Sequence, residues 1–196
     1  MVVGGGALAV ALAVGSLAIA GTGRHGLEVG LRLTAGLAFP FLAAAYVTPA
    51  LAAMRGSSVN QWLPAAQGQL WRTFAAIFAV HLVLIAALVA FAGVTPLILS
   101  LLGGGLAYLL IGGIVLTFSD GFRAKLGSAR ADRLRRLGEH WVFAVFTFTM
   151  ASAVAEGIVA WLPALLVALG IYAARLMAWR RAYRSRTRAA EDSALA

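Results

Sequence analysis

The sequence predicts an all-α fold, a polytopic bundle of about six transmembrane helices, and three observations carry that prediction. Hydrophobic residues make up 62% of the 196-residue chain and charged residues only 12%, about half of the roughly 25% usual in a soluble domain. The apolar residues fall in long continuous runs, and about 20 of them in a helix cross the roughly 30 Å hydrocarbon core. The remaining charge is clustered at the ends of those runs. Backbone groups in lipid must be satisfied internally, so such runs form helices. A membrane barrel would show short alternating segments instead.

Taken in order, the spans are placed at about 3–21, 31–54, 73–92, 97–118, 138–156 and 159–178. The first ends in Ala18-Ile19-Ala20, a triplet of the signal-peptidase kind, but lacks the positive n-region of a signal peptide. Its removal would leave the orientation of the other spans unchanged. The second contains Pro40 and Pro49, which predicts a kink whose freed carbonyls are satisfied by neighbouring helices. Gly93 to Pro96 form a tight turn between the third and fourth spans. The fourth is Gly-rich, and Gly103 to Gly105 with Gly112 and Gly113 are expected to be helix-packing faces. Residues 1–178 thus read as one bundle, and 179–196 as a basic, flexible tail.

The cations set the orientation. Fourteen of the sixteen Lys and Arg residues fall on the side of the N-terminus, the 55–72 and 119–137 loops and the tail, against Arg24 and Arg32 on the other. By the positive-inside rule both termini are cytoplasmic. The tryptophans agree: Trp62, Trp71, Trp141, Trp161 and Trp179 lie at span ends or in adjoining loops, where indole prefers the headgroup level. One lysine, Lys125, against abundant Arg, Ala and Gly fits a GC-rich bacterial source and an inner membrane.

Much chemistry is excluded. The chain has no cysteine, so neither disulfides nor thiolate metal sites are available. A net charge of +9 is accounted for by topology signals, with anionic lipid rather than nucleic acid as the partner. Polar stretches of about 20 residues leave no room for a flavin or nicotinamide fold, and the glycine strings lie inside apolar spans rather than in phosphate loops. No hydrolase constellation or metal-binding helix motif is present.

An ionisable side chain within a span is a functional candidate by default. His81 lies nine residues past Arg72, about 13 Å into the membrane from the cytoplasmic boundary. His140 lies four residues past Arg136, about 6 Å in by the same rise. Two neutral imidazoles on different helices in the same half of the bilayer suit the two faces of one heme iron. Phe74, Phe78, Phe143 and Phe146 would supply walls, and Arg72 and Arg136 would face the propionates. The alternative for each histidine is an ordinary hydrogen-bonded or interfacial side chain. His25, beside Arg24 and Glu28, reads as solvated; Glu156 reads as interfacial, and Asp120 as a cap or a partner of Arg123.

The run WRTFAAIFAVHLVLIAALV and the later ADRLRRLGEHWVFAVFTFTMA resemble the ferric reductase-like transmembrane domain over about residues 30–178. That resemblance implies a six-helix bundle holding b-type heme between histidines of the third and fifth spans. His81 matches the third-span position, while Leu84 stands where some relatives carry a further histidine. At the entrance of the fifth span the family commonly reads Leu-His-Arg-Leu, where this chain has Leu134-Arg135-Arg136-Leu137. Arg does not ligate iron, which leaves His140 as the fifth-span candidate and supplies histidines for at most one heme. The implied function is a membrane oxidoreductase component passing electrons from a separate donor, a quinol or a reductase. The alternative is a cofactor-free membrane scaffold or partner subunit of the same architecture.

Overall fold

The computed structural model describes the backbone of residues 1–54, 63–92 and 98–195, and the side chains of 1–52, 65–91 and 103–181. The helices are α1 (Val2–Ala20), α2 (Arg24–Met54), α3 (Leu63–Ala92), α4 (Ile98–Leu116), the short α5 (Asp120–Leu126), α6 (Ser128–Ala155) and α7 (Leu162–Leu195), with a 3₁₀ turn at Val159–Trp161. Among the described residues, five helices are long and apolar enough to cross a membrane, or six when α4 and α5 are counted as one bent span. The expected all-α bundle is therefore present. Its perimeter is apolar as a lipid-facing surface must be, with Leu109, Phe148 and Phe91 among the outward side chains.

The ends of α5 and α6 have local causes. Gly127 separates α5 from α6 at φ 85° and Gly157 follows α6 at φ 89°, a left-handed region that side chains resist. Ser119 caps α5, its hydroxyl accepting from the Phe122 amide at 3.3 Å. Arg123 donates to Asp132 at 2.8 Å across the α5–α6 corner, so the partner of Arg123 is Asp132 and not Asp120. The turn expected at Gly93 to Pro96 lies outside the described residues, as do Trp62 and Arg55. Helix α7 runs unbroken through the segment read as a tail, to Leu195.

Prolines 40 and 49 sit inside the 31-residue α2. Pro49 has no N–H for the carbonyl of Ala45, four residues back. That carbonyl instead accepts from Gln67 Nε2 of α3 at 3.3 Å, so a neighbouring helix satisfies it as anticipated for a membrane bundle.

The core runs along the shared faces of α2, α3, α4 and α6, where Leu42, Tyr46, Trp71, Phe74, Ile77, Ile114, Val142 and Phe143 are fully buried. Helix α1 lies against α2 and α3. Of the anticipated glycines, Gly113 faces α6, a Cβ there standing 3.7 Å from Leu134, but the tightest approaches use others. A Cβ on Gly5 of α1 would stand 2.5 Å from Thr73 Cγ2 of α3, and one on Gly138 of α6 would stand 3.0 Å from Ile114 of α4. A Cβ on Gly103, Gly104, Gly105 or Gly112 would meet nothing within 4 Å, so these seat no helix among the described residues. Composition reveals a small residue but not the face it occupies. Trp71 also departs from expectation: it is fully buried in the core, while Trp141 and Trp179 face outward.

Candidate functional site

The arginine-rich end of the bundle holds a buried polar cluster that draws on four helices. At its centre is Glu139 of α6, only 1% exposed. Its Oε1 accepts from Gln67 Nε2 of α3 at 2.9 Å, and its Oε2 lies 3.5 Å from Arg175 Nη2 of α7. The buried Trp71 indole N–H approaches the same carboxylate without completing a hydrogen bond. Taking a carboxylate out of water is costly unless charge and hydrogen bonds replace the solvent, and Gln67 and Arg175 together do so.

The Arg175 guanidinium also lies 4.1 Å from the centre of the Tyr46 ring of α2, a cation–π contact. The other neighbour of that ring is Phe143, stacked at 4.0 Å and 5°. The Tyr46 hydroxyl lies 2.7 Å from His140 Nδ1. Arg175 Nη1 is buried with no hydrogen-bond partner among the described residues. A buried donor left unpaired costs about 1–3 kcal/mol or more when charged.

Beside this cluster, between α2, α6 and α7, opens a cavity of about 600 Å³. Arg136, His140, Tyr46, Tyr172, Arg175 and Trp179 line it together with apolar residues such as Pro49 and Leu176. Two guanidinium groups and an imidazole line the cavity with no carboxylate among them, since Glu139 lies behind Arg175 rather than in the wall. The wall thus suits an anionic group attached to an apolar or aromatic body.

Of the four residues singled out in the sequence, His140 and Arg136 share this cavity, whereas His81 lines a different one and Arg72 lines neither. His81 Nδ1 lies 2.9 Å from the Thr34 hydroxyl of α2, and His140 Nδ1 bonds to Tyr46 of the same helix. Those α2 positions are twelve residues apart, about 18 Å along the helix. One iron between two imidazoles would need nitrogens about 4 Å apart, taking metal–imidazole bonds near 2 Å. The residues present do not fit a heme shared by His81 and His140. The four phenylalanines expected as its walls pack on one another and on Tyr46: Phe74 on Phe78 at 5.1 Å, Phe78 on Phe146 at 5.3 Å, and Phe143 on Tyr46. Among the described residues no group of three or more His, Cys, Asp or Glu side chains could hold a metal ion.

Glu139, Arg175, Gln67 and Tyr46 were not singled out as candidates in the sequence. A signal was present: Arg175 falls inside the last predicted span, four residues before Trp179, and a charge inside a span calls for a partner. Comparison with protein families, curated proteins and solved structures finds no match for this chain.

Proposed function

We propose that this multi-pass membrane protein binds an anionic amphiphile, a phosphate- or carboxylate-headed lipid, in the cavity between α2, α6 and α7. The observation that carries this reading is the Arg175 guanidinium. The side chain is 15% exposed and lines the cavity, and its buried Nη1 has no acceptor among the described residues. An anionic oxygen entering the cavity would accept from that donor, with Arg136 and His140 as further donors and Tyr172, Trp179 and Leu176 against the apolar part. Basic pockets between membrane helices on the cytoplasmic side are a recurrent form of headgroup recognition. The fourteen-to-two division of cations supports placing this end, and both termini, on the cytoplasmic face of a bacterial inner membrane.

Native mass spectrometry of the protein released from mild detergent tests the reading, with phosphatidylglycerol and phosphatidylcholine supplied in equal amounts. The expected result is selective retention of phosphatidylglycerol, weakened about tenfold by Arg136→Gln, as for loss of one charge-assisted contact. Equal retention of the two lipids by the unaltered protein would overturn it.

A further inference from the structure

A second cavity, of about 230 Å³, lies among α2, α3, α4 and α6, away from the arginine cluster. Its wall is nearly all apolar or aromatic, with Phe78, Phe146, Ala107 and Val142 among the lining residues. Three hydrogen-bonding side chains break that wall, His81, Tyr108 and Thr149; the Thr149 hydroxyl donates to its own helix, to the Val145 carbonyl at 2.9 Å. Both rings pack on Phe78, His81 at 5.0 Å and 8°, Tyr108 at 4.8 Å and 27°.

The hydrogen bonds behind His81 favour one tautomer. The Thr34 hydroxyl has one hydrogen, and it lies 2.8 Å from the Gly30 carbonyl and 3.1 Å from that of Leu31. With that hydrogen directed to its own helix, the Thr34 oxygen accepts, and His81 Nδ1 donates to it at 2.9 Å. A neutral imidazole that donates from Nδ1 accepts at Nε2. The Leu31 carbonyl also lies within reach of the His81 ring, and Nδ1 is the ring nitrogen that makes a geometric hydrogen bond among the described residues, which leaves Nε2 for the cavity. The Tyr108 hydroxyl is buried and unpartnered among the described residues, and a buried polar group in that state calls for a water or ligand.

We infer that this cavity is a binding site for a small, uncharged phenol that enters from the lipid, its O–H donating to His81 Nε2 and its oxygen side facing Tyr108. Size sets the scale. A dry apolar cavity of about 150 Å³ accommodates benzene, so 230 Å³ takes a substituted ring of that kind. Charge sets the class, because no Arg, Lys, Asp or Glu lines the cavity and an unpaired ion would be strongly disfavoured there. The direction of the hydrogen bond selects within that class. An acceptor at Nε2 rewards a ligand with an O–H over an ether or a hydrocarbon of the same shape. Gly104, one turn before Tyr108, keeps the α4 wall open where a side chain would project.

The probes are 4-methylphenol, its methyl ether 4-methylanisole, and 4-xylene, compared at equal concentration in the lipid phase. With three histidines in the chain, ¹⁵N spectra of histidine-labelled protein in lipid discs resolve the His81 ring. 4-Methylphenol should shift the His81 Nε2 resonance and leave those of His25 and His140 in place, and the other two compounds should not. Tyr108→Phe retains the fold, removes the unpartnered hydroxyl and should weaken 4-methylphenol about tenfold, one hydrogen bond's worth. His81→Leu should abolish the preference for the phenol over xylene, read as xylene-competed binding. Equal binding of all three compounds by the unaltered protein, or a phenol shift that survives in Tyr108→Phe at full affinity, would overturn the inference.

Discussion

Gln67 of α3 and Glu139 of α6 are joined by a 2.9 Å hydrogen bond, and the same amide nitrogen reaches the Ala45 carbonyl that Pro49 leaves without an amide. One side chain thus answers two liabilities of a membrane interior, a broken backbone ladder and a buried carboxylate. Gln67→Leu should lower stability by about 2–4 kcal/mol, the range for stranding two buried acceptors. Pro49→Ala restores an N–H for Ala45, so the cost of Gln67→Leu should be smaller in that background. Unfolding in mixed detergent micelles, arranged as a double-mutant cycle, checks this; strictly additive effects would show that the two sites do not communicate.

The ion pair of Glu139 with Arg175 makes an asymmetric prediction. Glu139→Leu or Arg175→Leu alone leaves one charge buried without its partner and should cost about 3–5 kcal/mol. The double variant Glu139→Leu with Arg175→Leu should recover most of that loss, because neither charge remains. Thermal melting of the three variants distinguishes this from simple loss of packing, in which the double variant would be the worst.

Glycine positions separate by face. Gly5→Val and Gly138→Val force a side chain against Thr73 and Ile114 respectively, and overpacking of this kind costs about 1–3 kcal/mol. Gly103→Ala meets open space and, in a helix, should be neutral or stabilising by up to about 1 kcal/mol. Melting temperatures measured side by side in one detergent decide the matter. A large loss at Gly103 would point to a neighbour that packs there in the assembled protein.

The separation of His81 from His140 predicts that neither anchors a shared heme. The dithionite-reduced protein should lack the α-band of bis-histidine b-type heme, and His81→Ala or His140→Ala should leave the optical spectrum unchanged. A reduced b-type band lost in both variants would mean that α2, α3 and α6 are arranged differently.

Much of the architecture was legible in the sequence because hydropathy reports directly on the solvent each segment requires. Six runs anticipated the order of the helices, and proline in α2 anticipated the need for help from a neighbour. What stayed hidden depends on rotation about the helix axis. Glu139 looks like a boundary charge and Arg175 like a charge in the last turns of its span until α6 and α7 turn them toward one another. Trp71 looks like an interfacial indole until α3 turns it inward. The depths read for His81 and His140, about 13 and 6 Å, placed both in one half of the membrane. The contacts they make with Thr34 and Tyr46 could not be foreseen from spacing on their own helices.

Helix α7 is 34 residues long, about 51 Å of rod at the usual rise, whereas the hydrocarbon it crosses is about 30 Å thick. The surplus of some 20 Å emerges as a continuous spar and not as a loose thread. A fluorophore or affinity group attached at its tip would therefore be held at a defined height above the headgroups, and its distance to a lipid-borne quencher becomes a ruler for how deeply the whole bundle sits.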